Sequence, residues 1–134
     1  MKKYILFIGL IIACASCLDS NISVASEDLV GEWRSENSMI NSKPASEFLY
    51  GSTFYSSILG LREDGFYFFN YSSGNWSLEG NILHLENRGD LEIVYYSDSL
   101  MTLRIELSAS ELYWPIKGIE ANESIVLQED YRRH

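Results

Sequence analysis

The sequence predicts an all-β protein: an antiparallel up-and-down β-barrel of about eight strands, following an N-terminal signal segment. Three observations carry this. Residues 60–87, GLREDGFYFFNYSSGNWSLEGNILHLEN, read as a meander, with an Asp64-Gly65 hairpin turn, an aromatic strand over 66–71, and further turns at 72–75 and 79–81. Trp76 and Leu78, Leu83 and Leu85, and Met101, Leu103, Ile105 and Leu107 each alternate with polar residues, which puts one apolar face on every strand. Turn signals recur about every 8 to 12 residues, the spacing of a sandwich or barrel, and consecutive hairpins favour the up-and-down order. A hydrophobic fraction of 46% is enough to build a core and argues against disorder.

Along the chain, residues 1–17 read MKKYILFIGLIIACASC. Lys2 and Lys3 precede an apolar run over 4–13, and the small residues Ala13, Ala15 and Ser16 follow: a secretory signal pattern. The run is about half of the ~20 residues a membrane-spanning helix takes. Residues 17–26 read as a flexible tether, and Ser26 is placed to cap one helical turn. From Gly31 the first strand sets Trp33 on one face and Glu32 and Arg34 on the other. Residues 37–52 break the period and form a loop. With Phe48, Leu49 and Tyr50 this loop is either a lid over one barrel end or a connection that tucks its aromatics onto the core. The second strand is expected over 53–62. Leu91, Ile93 and Tyr95 share a face of the strand after the meander. A short strand over 112–116 stops at Pro115, and the last strand spans 124–132. The domains are thus 1–16, 17–26 and the barrel at 27–134. Both cysteines lie before the barrel, so packing and edge-free closure hold it without a disulfide.

The end of the leader resembles a bacterial lipoprotein signal. Ala15-Ser16-Cys17 leads straight into a polar stretch, and Ile11-Ile12-Ala13-Cys14 is the competing match. The resemblance implies lipidation at Cys17, with Cys14 as the alternative, and a bacterial protein exported and lipid-anchored in the cell envelope at the inner or outer membrane. The body is similar to the lipocalin-like lipoproteins of the calycin group. The matching pieces are Leu29-Val30-Gly31-Glu32-Trp33, Leu61-Arg62-Glu63-Asp64-Gly65-Phe66-Tyr67, the stretch GNWSLEGNIL at 74–83, and IELSASEL at 105–112. This resemblance implies that Trp33 closes one barrel end beneath a late basic side chain, either Arg104 or Arg132. It also implies room for a small apolar or amphipathic ligand, or a side-chain-filled interior.

Chemistry-bearing patterns are sparse. Lys2 and Lys3 are the only charged residues of 1–16, so the 19 acids of the mature chain face the 10 bases less those two. Such a surface repels nucleic acid and anionic headgroups, leaving the N-terminal lipid as the membrane contact. His84 alternates outward from Leu83 and Leu85, His134 is terminal, and no spacing marks a catalytic carboxylate pair or a metal site. No enzyme activity, metal or cofactor is expected. Tyr67, Phe69 and Tyr71 share one strand face, and Leu61 pointing inward makes that face the interior. Trp33, Tyr67, Phe69, Trp76, Tyr95 and Trp114 are the expected ligand-binding residues, because aromatic walls with a few hydroxyls suit a semi-polar ligand. The competing reading is a filled barrel acting as an interaction or inhibitor module for an envelope protein.

Overall fold

The computed structural model describes residues 22–48, 57–112 and 116–134. They form α1 (Ser26–Leu29), β1 (Gly31–Ile40), β2 (Lys43–Pro44), β3 (Ile58–Leu61), β4 (Phe66–Phe69), β5 (Ser72–Glu79), β6 (Ile82–Leu85), β7 (Gly89–Tyr96), β8 (Leu100–Ser108) and β9 (Ser124–Arg133). Every pairing is antiparallel. β1 pairs with β3 on one side and β9 on the other, so eight strands close into a barrel, and β2 is an extra strand on the far half of β1. Cys14, Cys17, Leu49, Tyr50, residues 53–56 of the expected second strand, and Trp114 lie outside the described residues.

Three local expectations are corrected. The turn expected at 72–75 sits at Asn70 and Tyr71. Asn70 takes a left-handed φ of 51°, and its N–H and Oδ1 both bond Ile58 at 3.0 Å. Residues 72–75 are strand, and Gly74 lies opposite Tyr67. A Cβ there would come within 3.2 Å of Tyr67 Cε1 and 3.0 Å of Glu86 Oε2, so this glycine makes room and does not bend the chain. The loop expected from 37 begins later, because β9 offers a partner edge as far as Ile40. The two-residue turn Asn41-Ser42, at φ 50° and 66°, leads into β2. Of the expected strand at 112–116, residues 113–115 lie outside the described residues; Leu112 closes a 3-10 turn through its N–H to Ala109 O, and neither Leu112 nor Ile116 is in a strand.

Two β-bulges decide which side chains face inward. In β1 the register shifts between Ser35 and Asn37, so Trp33, Ser35, Ser38 and Ile40 all face the interior. In β7 it shifts between Ile93 and Tyr95. Ile93 stays opposite Leu103, Tyr95 turns outward opposite Thr102, and Tyr96 takes the inward place opposite Met101. The inward residues form a core of Leu29, Trp33, Leu59, Leu61, Tyr67, Leu83, Leu85, Ile93, Met101, Leu103 and Tyr131. The strands β1, β8 and β9 overreach the others. Their extra inner face carries a second cluster of Ile40, Ala45, Ala109, Ile116 and Ile125, with Phe48 packed against it. Phe48 is therefore tucked onto apolar side chains, tied by its carbonyl to the Lys117 N–H at 2.8 Å.

One end of the barrel is stoppered. Trp33 is fully buried, donates from Nε1 to Leu29 O at 2.9 Å, and meets the edge of Tyr96 at a centroid distance of 6.3 Å. The Arg133 guanidinium lies 4.2 Å above the Trp33 ring and donates to three carbonyls: Asp98 at 2.8 Å, Val30 at 2.7 Å and Asp28 at 2.5 Å. The basic partner of Trp33 is thus Arg133, not Arg104 or Arg132. Those two point outward on their strands and pair with Glu92 and Glu36. The N-terminal chain enters at this end: Val24 is buried and Ile22 packs on the same core, so packing reaches into the stretch that reads as tether. The turn α1 is capped one residue before the expected Ser26, with the Ala25 N–H donating to Asp28 Oδ2.

Arg133→Lys keeps the charge but loses the planar fork that serves three carbonyls. It is expected to cost about 1.5–3 kcal/mol, the range for hydrogen bonds made by charged groups, in urea unfolding followed by tryptophan fluorescence. Unchanged stability would show that the fork contributes nothing.

Candidate functional site

The stoppered half leaves its aromatic side chains committed. Trp33 and Tyr67 are fully buried. The Tyr67 hydroxyl donates to Glu86 O at 2.5 Å, and burial raises its pKa. Trp76 Nε1 donates to Arg62 O at 2.9 Å, in the loop beside the stopper. Tyr95, expected inside, is 50% exposed on the outer wall because of the β7 bulge, and Tyr71, also expected on the inner face, is fully exposed in the β4–β5 turn. Of the expected ligand-binding residues that are described, Phe69 alone stands on the inner wall toward the opposite end, partly exposed, while Trp114 lies outside the described residues.

That opposite half is a mixed wall. Ser38 from β1, Phe69 from β4, Leu91 from β7, Ile105 and Leu107 from β8, and Leu127 and Glu129 from β9 share the inward face, and all stay partly exposed. Its polar centre is Glu129, which stands between Ser38 and Leu103 in the register. Tyr131, two residues along the same face, donates its hydroxyl to Glu129 Oε2. Burial raises the Glu129 pKa, against the opposing pull of the Tyr131 and Ser38 hydroxyls and of the Arg88 charge. Burial, and then the neighbouring Glu129 charge, push the Tyr131 phenol well above its ordinary value. Ser38 Oγ is enclosed; it lies near the carboxylate but is not placed for a hydrogen bond of good geometry. Arg88, from the β6–β7 turn, stands at the rim with its guanidinium 4.3 Å from the Phe69 ring and Nη2 donating to Ser72 Oγ at 3.2 Å.

The outer wall holds two other features. His84 faces outward as expected, its Nδ1 2.5 Å from Asp90 Oδ1 and its Nε2 3.4 Å from Glu79 Oε2. The hydrogen bond with Asp90 leads the effects that raise its pKa. A shallow groove of about 630 Å³ runs past Val30, Glu32, Gly60, Arg62 and Phe68 outside the stoppered end. Gly60 makes room for the Phe68 ring, which would lie 1.9 Å from a Cβ there. Among the described residues no group of His, Cys, Asp and Glu can hold a metal ion, and no helix is long and apolar enough to cross a membrane.

Glu129, Ser38 and Arg88 were not among the residues expected from sequence. Glu129 had a legible signal, since Ile125, Leu127, Glu129 and Tyr131 alternate, which sets one carboxylate on an apolar face. Ser38 depends on the β1 bulge, and Arg88 on how a turn folds over the rim; neither left a local pattern. No family model, curated protein or solved structure matches the chain.

A carboxyl whose folded pKa is raised makes the folded state bind more protons than the unfolded one between the two values. Its contribution is then most favourable below the unfolded pKa of about 4.3 and is lost as pH rises through the folded value. Glu129→Gln should therefore be more stable than the parent near neutral pH, and the difference should shrink on acidification, as read by thermal melts across pH. For His84 the stabilisation should be complete below its unfolded pKa of about 6.5 and vanish as pH rises through the raised folded value. His84→Gln melts should accordingly converge with the parent at alkaline pH.

Proposed function

We propose that this is a lipid-anchored cell-envelope protein whose lipocalin-like barrel binds a small apolar or amphipathic molecule in the half away from Trp33. One observation carries the reading: the two halves of the inner face differ. Around Trp33 the side chains are fully buried, whereas from Phe69 to Leu127 inward side chains keep contact with solvent and include a hydrogen-bonded carboxylate. An apolar wall with a few placed polar groups suits a small ligand. The role in this reading is binding, with the Tyr131 hydroxyl already spent on the Glu129 carboxylate.

The leader supports export and attachment at Cys17, with Cys14 as the alternative, by its basic start, short apolar run and small residues. Anchoring at Cys17 puts five residues between lipid and Ile22, a reach of at most about 18 Å. Because the chain enters beside Trp33, the stoppered end faces the bilayer and the half carrying Glu129 faces away.

A second reading, an interaction or inhibitor module for an envelope protein, draws on the tight packing of the stoppered half. It also draws on Tyr71, fully exposed at the β4–β5 tip.

Native mass spectrometry of the protein purified from its own membrane should show a retained small molecule. A bare mass, together with a co-purifying protein lost on Tyr71→Ala, would favour the second reading. For orientation, a fluorophore on Glu63→Cys should be quenched by bilayer-borne quenchers more strongly than one on Tyr71→Cys; the reverse order would rule out the proposed attachment geometry.

A further inference from the structure

We infer that the half of the barrel carrying Glu129 selects a ligand with a protonated amine, held by the Glu129 carboxylate from the inner wall. This rests on the reading of that half as a ligand site and names the ligand's chemistry. An ionised carboxylate has about four acceptor positions. Here the Tyr131 hydroxyl fills one. The Ser38 hydroxyl, enclosed beside it, bears on a second, and the remaining positions are left for a ligand.

Among the described residues no cation forms an ion pair with Glu129. Arg88 acts on it only through space: its guanidinium is stacked on Phe69 and bonded to Ser72 at the rim. A carboxylate withdrawn from water without a countercharge is costly, and a cation that donates hydrogen bonds to it offsets that cost best. An ammonium group meets both needs at once, supplying the charge and up to three donors to Glu129. The apolar part of the ligand then lies along Ile105, Leu127 and Phe69, which share the wall. The formal net charge of −9 draws cations toward the barrel and disfavours anionic competitors.

The test uses three matched probes, phenethylamine, phenethyl alcohol and hydrocinnamate, which share the phenethyl body and differ in their end group. They are titrated calorimetrically near neutral pH into the processed full chain in nanodiscs, with empty nanodiscs as reference. The amine should bind at least about tenfold tighter than the alcohol, and the carboxylate weakest. Glu129→Gln, expected to fold at least as stably as the parent, should reduce the amine to the affinity of the alcohol. Glu63→Gln, which removes an exposed carboxylate in the loop beside the stopper, should leave the preference intact. An amine preference that survives Glu129→Gln, or equal binding of all three probes, would overturn the inference while leaving the ligand site standing. Binding of none of the three would bring down the ligand site with it.

Discussion

β1 is hydrogen-bonded along both edges, to β3 from Gly31 to Arg34 and to β9 from Trp33 to Ile40. That double pairing turns a meander into a closed surface and gives every side chain an inside or an outside. In a chain whose folded body has no cysteine, it also removes the free edges that would invite association. Closure has a geometric consequence: strands of unequal length must meet in register, and the two bulges, at Glu36 and Val94, absorb the mismatch. Each shifts the side-chain phase by one. Ser38 and Ile40 thereby come inside on β1, and Tyr96 replaces Tyr95 inside on β7.

The same closure makes the barrel asymmetric along its axis. At one end α1 and the start of β1 present the carbonyls of Asp28 and Val30, which the secondary structure leaves open to other partners. Arg133 satisfies them while covering Trp33. A cation set over an indole and aimed at carbonyls supplies both hydrogen bonding and ring contact, a combination that suits a planar guanidinium better than an ammonium. Tyr96 joins the arrangement by donating to Asp28 O at 3.0 Å. At the other end β1, β8 and β9 overreach the shorter strands, and the segments around Phe48 and Ile116 cover that overhang with an apolar cluster of their own. Between stopper and overhang lies the stretch of inner wall that carries Glu129. The proposed function depends on this polarity of the barrel more than on any single aromatic residue.

The aromatic residues that stand out in the sequence are largely used for structure. Tyr67 and Trp76 each spend their polar atom on a backbone carbonyl, and Trp33 is sealed beneath Arg133. Buried aromatic groups with a donor need an acceptor, and carbonyls at strand ends are the nearest supply. The inner polar chemistry falls instead to residue types that are common elsewhere in the chain, a glutamate, a serine and an arginine. Only their position inside a closed wall sets them apart.

Period-two alternation in β6 and β8, together with turn residues such as Gly65 and Gly80, determined by local sequence alone that this is a barrel-forming meander with Leu83, Leu85, Met101 and Leu103 on its inner face. Strand periodicity and turn stereochemistry act within a few residues, so they leave a local trace. Tertiary structure alone decided that Arg133 and not Arg104 or Arg132 covers Trp33, that Tyr95 faces out, and that Ser38, Glu129 and Arg88 share one end of the barrel. Those outcomes depend on register between strands far apart in sequence. A bulge of one residue reverses the facing of everything beyond it, and its cost is balanced only when the whole ring of strands closes.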